Sequence, residues 1–145
     1  MKRFAALFLI IILAMTFVFC SCENKKEEVA EEKGVWKNAL YKEDQTLGVG
    51  KTTFTFEVEA EGKSVVFTIN TNLEYLGEAL VKNKLVEGEN GPYGLYIKKV
   101  NGIKADYDED GAYWGFYQDG EYMTSGADTT KIENGAHYKV VYEKE

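Results

Sequence analysis

Thiols and imidazoles are nearly missing from this 145-residue chain. Its two cysteines, Cys20 and Cys22, sit together near the start, and His137 is the single histidine. A transition-metal centre needs several such soft donors, so none is expected, and His137 reads as a surface residue at the start of a strand. Positive charge is also scarce: 17 Lys and Arg face 24 Asp and Glu, for a formal net charge of −7. Binding DNA or RNA requires cations that replace phosphate counterions, so nucleic acid is excluded as a partner. Lying flat on an anionic lipid surface is disfavoured for the same reason. No phosphate-cradling loop is present. Gly48-Val49-Gly50-Lys51-Thr52 ends like one but lacks the first glycine and the helix that should follow. Internal repeats are absent. Ser125, Asp128 and His137 fit no nucleophile-elbow spacing. A glycosidase-type carboxylate pair is set by separation, which sequence does not display. The chain is therefore expected not to be an enzyme.

What the sequence does have begins at its front. Lys2-Arg3 precede an apolar run over residues 4–19, and Phe19-Cys20-Ser21-Cys22 follow. Two cations, a greasy stretch and a small residue before a cysteine describe an export signal. Its ending resembles a bacterial lipoprotein signal, which is cut before the cysteine that then carries lipid. Ser21 is small enough to precede such a cut, whereas Phe19 before Cys20 is not, so Cys22 is the expected lipidation site. The run is short for a transmembrane span of about 20 residues. It also has no amphipathic face with which to dock as a buried helix. The expected organisation is a signal peptide over 1–21, a charged tether over 22–33 and one domain over 34–145. Loss of Lys2 and Arg3 takes the net charge from −7 to −9. Loss of Cys20 leaves no internal disulfide, so the domain must fold on its core alone, which its size permits.

Within 34–145, strand patterns dominate. Residues 35–41 form a weak first strand. Phe54, Phe56 and Val58 alternate with polar neighbours, Glu61-Gly62 supplies a turn, and Val65, Phe67 and Ile69 resume the alternation, so 52–70 reads as a hairpin. Thr71 with Glu74 forms a capping box for a helix whose apolar stripe is Leu73, Leu76, Ala79 and Leu80, with Gly88 as its stop. Strands return at 95–100 before Asn101-Gly102, at 113–118 before Asp119-Gly120, and at 138–142 after Asn134-Gly135. This order predicts an α+β fold: a β-grasp-like mixed sheet with one helix packed across one face.

Several landmarks in order carry a resemblance. They are Leu76-Gly77-Glu78-Ala79-Leu80, Tyr93-Gly94-Leu95-Tyr96-Ile97, Val100-Asn101-Gly102, Tyr113-Trp114, Ser125-Gly126-Ala127-Asp128 and Asn134-Gly135. Together with Ala39-Leu40-Tyr41 and Leu47-Gly48-Val49-Gly50, they resemble the transcobalamin-like C-terminal domain family over roughly 39–143. The resemblance implies a β-grasp-type domain that binds a soluble ligand, cobalamin-like or another nutrient, and an extracytoplasmic lipoprotein on the membrane of a Gram-positive-type bacterium. In the vertebrate cobalamin carriers a helical domain closes the ligand from the other side, and this chain has none. The alternatives are a partner chain that completes the site, or a structural or protein-interaction module of the envelope.

Tyr113 and Tyr117 share one strand face, and Trp114 and Phe116 the other. Tyr96, Tyr113, Trp114 and Tyr117 are the candidate ligand-binding residues, because flat rings with polar tips suit adaptable recognition. Asp106, Asp108, Asp110 and Gly111 spell the first half of a calcium loop, with Tyr117 standing where the bidentate Glu belongs. Calcium is the one cofactor this pattern raises. The other reading is a solvated acidic loop.

Overall fold

The computed structural model describes residues 33–145. The expected signal peptide, the lipidation site Cys22 and all of the tether but Lys33 lie outside the described residues. The N-terminal part of the domain is a short 3-10 turn, Gly34–Asn38, not the weak strand expected over 35–41. Trp36 explains the difference. Its ring is buried, and its Nε1–H donates to the Ala60 carbonyl at 2.7 Å, which curls the backbone around the indole.

Nine strands follow: β1 (Gln45–Gly48), β2 (Thr52–Ala60), β3 (Lys63–Thr71), β4 (Val86–Gly91), β5 (Gly94–Val100), β6 (Ile103–Lys104), β7 (Ala112–Gln118), β8 (Glu121–Tyr122) and β9 (His137–Lys144). One sheet has the order β1-β3-β2-β9-β7-β8, and a second has the order β4-β5-β6. The hairpin β2–β3 forms as its alternation predicts. Glu61 and Gly62 make the turn, both with positive φ (51° and 76°), which matches the twist of the strands it joins. β1 joins β3 in parallel, and β9 joins β2 in parallel and β7 antiparallel. Phe54, Phe56, Phe67, Ile69, Tyr138 and Val140 from the large sheet share one buried cluster with Val86, Val100 and Ile103 from the small one.

The expected α+β, β-grasp-like architecture is corrected by this arrangement. The described residues are mostly β, in two sheets, with one helix of seven residues, α1 (Leu76–Lys82), and a single helical turn, α2 (Tyr107–Asp110). Two causes shorten the helix. At its start, Thr71 stays in β3 and its hydroxyl accepts the Leu73 N–H at 3.0 Å, so no capping box forms. The first N–H groups of α1 instead find carbonyls of a distant loop: Leu76 donates to Thr130 at 2.9 Å and Gly77 to Ala127 at 2.7 Å. At its end, Lys84 adopts φ 58°, Lys84 N–H donates to Val81 and Leu85 N–H to Leu80. This is a Schellman closure, which stops a helix without waiting for a glycine. Gly88 lies in β4 at a bulge, where a Cβ would overlap the Tyr96 carbonyl. Among the described residues, no helix is long and apolar enough to cross a membrane.

Candidate functional site

β8 covers only the end of β7, pairing Tyr117 with Tyr122 and Gln118 with Glu121. Met123 N–H then donates to the Phe116 carbonyl at 2.8 Å, and the chain leaves the sheet as a loop. The uncovered stretch of β7 thus faces β5 of the small sheet across a groove of about 310 Å³. Leu95, Tyr96 and Ile97 form one wall, Trp114 and Phe116 the second, and residues 122–127 the third. That volume is at the lower end of small-molecule sites, and the lining is largely aromatic and aliphatic, as such sites require.

The loop wall is held from behind. The Asp128 carboxylate accepts the Leu95 N–H at 3.2 Å, which ties the loop to β5. Thr130 donates its hydroxyl to the Gly126 carbonyl at 2.9 Å. A Cβ at residue 94, whose φ is 103°, would overlap Asp128, and one at residue 77 would crowd its backbone. Glycine at both positions lets β5, α1 and the loop meet around that one aspartate.

Trp114 is only 8% exposed, and its ring packs edge-on against Tyr142 at 5.5 Å. Its Nε1–H is buried with no hydrogen-bond acceptor, and Oδ1 of Asp128 is buried with no donor. A buried donor left unpaired costs about 1–3 kcal/mol, so an acceptor brought against Trp114 would recover part of that. Tyr96 is 49% exposed, with the Lys98 ammonium 5.8 Å from its ring centroid.

Of the four expected ligand residues, Tyr96, Tyr113 and Trp114 come together along the groove, and Tyr117 is not among its lining. Tyr117 lies on the opposite face of β7 from Trp114. Its hydroxyl donates to Glu143 at 3.0 Å and its ring meets Tyr122 at 5.3 Å. Tyr113 donates to the same carboxylate at 2.6 Å. That bond, followed by burial, pushes the Tyr113 phenol up from its ordinary value near 10 to about 12. The folded chain therefore holds this proton longer than the unfolded chain. The resulting stabilisation is complete below pH 10 and is lost as pH rises toward 12. Tyr117 is raised with the same sign. The thermal midpoint should fall between pH 10 and 12, and Tyr113→Phe should make that fall shallower. An equally steep fall in the variant would show that the phenol does not carry it.

The acidic residues Asp106, Asp108 and Asp110 fall on and beside α2, not on a calcium-type loop. Asp106 precedes α2 and pairs with Lys104 at 3.4 Å, while Asp110 accepts the Ala112 N–H at 3.2 Å. Among the described residues, no three or more His, Cys, Asp or Glu side chains gather where they could share a metal ion. Ser125, Asp128 and His137 do not meet. Ser125 lies by Thr130, Asp128 by Leu95, and His137 between Thr55 (2.8 Å) and Glu57 (3.1 Å). Sequence reasoning missed the wall at 124–127. Its signal was the small-residue run Ser125-Gly126-Ala127 before Asp128, read only as a landmark.

Residues 74–144 match the profile of a domain of unknown function, DUF4430. No curated protein is significantly similar to the chain. Among solved structures, a "putative metal binding protein" from Ruminococcus gnavus ATCC 29149 is 31% identical, with a TM-score of 0.62 over 66% of this chain and 99% of that one. Haptocorrin, in complex with Cbi, is 19% identical with a TM-score of 0.49, over 68% of this chain and 26% of its own.

Proposed function

The chain belongs to the family of the Ruminococcus gnavus protein, and on that premise we propose that it is a non-catalytic binding domain for a soluble small molecule. The groove between β5, β7 and the 122–127 loop is the seat of the ligand. The observation that carries this reading is Trp114, a buried indole with an unpaired N–H at the wall of an aromatic groove beside a half-exposed Tyr96. An apolar body carrying a carbonyl or amide oxygen has the complementary chemistry. The transcobalamin-like landmarks give the finer reading, a cobalamin-like ligand. A groove of about 310 Å³ would grip only one side of so large a molecule. A partner chain would then complete the enclosure. Export and tethering through Cys22 are part of the proposal and rest on the signal at residues 1–22.

Tryptophan emission tests it, since a corrin quenches a nearby indole. Titrating cobalamin into the protein should quench the emission. Trp114→Phe should remove the quenching while leaving Trp36 as a fluorescent control. Tyr96→Ala should weaken binding about tenfold, the loss typical of one exposed aromatic anchor, without moving the thermal midpoint. Quenching that survives Trp114→Phe unchanged would place the ligand elsewhere. A screen of cobalamins and other small nutrients that leaves the midpoint unmoved would end the small-molecule reading.

A further inference from the structure

The face of β7 turned away from Trp114 carries a second aromatic surface, which borders the groove at Tyr113 and Tyr122. The Tyr107 and Tyr113 rings lie 6.4 Å apart, and the Tyr117 and Tyr122 rings 5.3 Å apart. Tyr113 and Tyr117 are four residues apart on one strand, so their Cα atoms stand roughly 13 Å apart, while their hydroxyls converge on one carboxylate. Glu143 fills the interval. Its carboxylate accepts both phenols, at 2.6 and 3.0 Å, and lies over Gly115, where a Cβ would overlap it. Glu145 accepts the Tyr107 hydroxyl at 2.8 Å. The outer rings stay open: Tyr107 is 50% and Tyr122 61% exposed.

This arrangement fixes three of the rings through their hydroxyls, and Lys139, opposite Tyr117 on β9, is paired with Glu57 and Glu59. Among the described residues, no lysine or arginine pairs with Glu143 or Glu145. A neutral sugar would seek the phenol hydroxyls of Tyr107, Tyr113 and Tyr117, and those are already committed to carboxylates. A cation on an apolar stem finds what it needs: aromatic surface for the stem and the charge, and a carboxylate within reach. A second copy of this acidic chain would set like charge against like. We propose that this face docks an extended, arginine- or lysine-bearing segment of a partner polypeptide. Cations four residues apart in such a segment repeat the backbone spacing of Tyr113 and Tyr117 along β7, one cation for each tyrosine pair.

Fluorescence anisotropy of the full chain with a labelled Gly/Ser peptide carrying two arginines four residues apart tests this at physiological salt. Glu143→Gln keeps the shape and removes the charge, and should weaken binding at least about fivefold. Tyr122→Ala, at an exposed ring, should do the same without unfolding the chain. Glu43→Gln makes an equal charge change ahead of β1, at the opposite edge of the sheet, and should leave binding unchanged. The proposal is overturned if the peptide does not bind. It is also overturned if Glu43→Gln weakens binding as much as Glu143→Gln, which would indicate only the diffuse field of an acidic protein.

Discussion

Asn101→Leu should lower the unfolding free energy by about 3–4 kcal/mol, from two unpaired peptide groups and a strained backbone. Asn101 is fully buried, with φ 49°. Its Oδ1 accepts the Tyr41 N–H at 2.9 Å and its Nδ2 donates to the Tyr41 carbonyl at 2.8 Å. Its own N–H donates to Leu85 at 2.7 Å and its carbonyl accepts from Leu40 at 2.8 Å. One side chain thus straps the segment after the 3-10 turn onto the β5–β6 turn. Leucine fills similar space, offers neither bond, and tolerates left-handed backbone poorly. Asn101→Gly loses the same bonds but relieves the backbone, so its loss should be smaller. Urea unfolding with unchanged m separates the two. A leucine loss below about 1 kcal/mol would show that the strap is held some other way.

Phe67→Ala should cost about 4 kcal/mol, within the range for deleting a buried phenyl ring. Phe67 has no exposed surface, meets Tyr41 edge-on at 5.6 Å and lies 6.5 Å from the Phe56 ring. Domains of this size hold only about 5–15 kcal/mol in reserve. The variant should therefore unfold at a much lower urea midpoint, and Phe67→Leu, which keeps most of the volume, should recover more than half of the difference. An alanine loss under about 2 kcal/mol would mean that neighbouring rings close the cavity. The two losses should be partly non-additive, because Tyr41 touches both residues.

These two sites also mark what the sequence could and could not show. Phe67 was legible, because it sits in a strict period-two pattern and such patterns fix which face is buried. The three turns at Glu61-Gly62, Asn101-Gly102 and Asp119-Gly120 were legible as well, since each pair adopts positive φ. Asn101, however, reads only as a turn residue. Its grip on Tyr41 joins positions 60 residues apart, and no local pattern encodes that. The helix forms where its stripe places it, but its bounds differ for the same kind of reason. The stripe from Leu73 to Leu80 is genuine helical spacing, yet the caps come from Ala127 and Thr130. The groove was half visible. Adjacent Tyr113 and Trp114 had to lie on opposite faces, but which face met β5 depended on how the second sheet folds back.

The position of β9 bears on when the fold can form. It lies between β2 and β7, so the halves of the large sheet are joined only through residues 137–144. During synthesis, 73 residues separate the end of β3 at Thr71 from the end of β9 at Lys144. At ordinary ribosome speeds that is a wait of roughly 4–15 s. Over that interval β2 presents an open flank where its central partner will later insert.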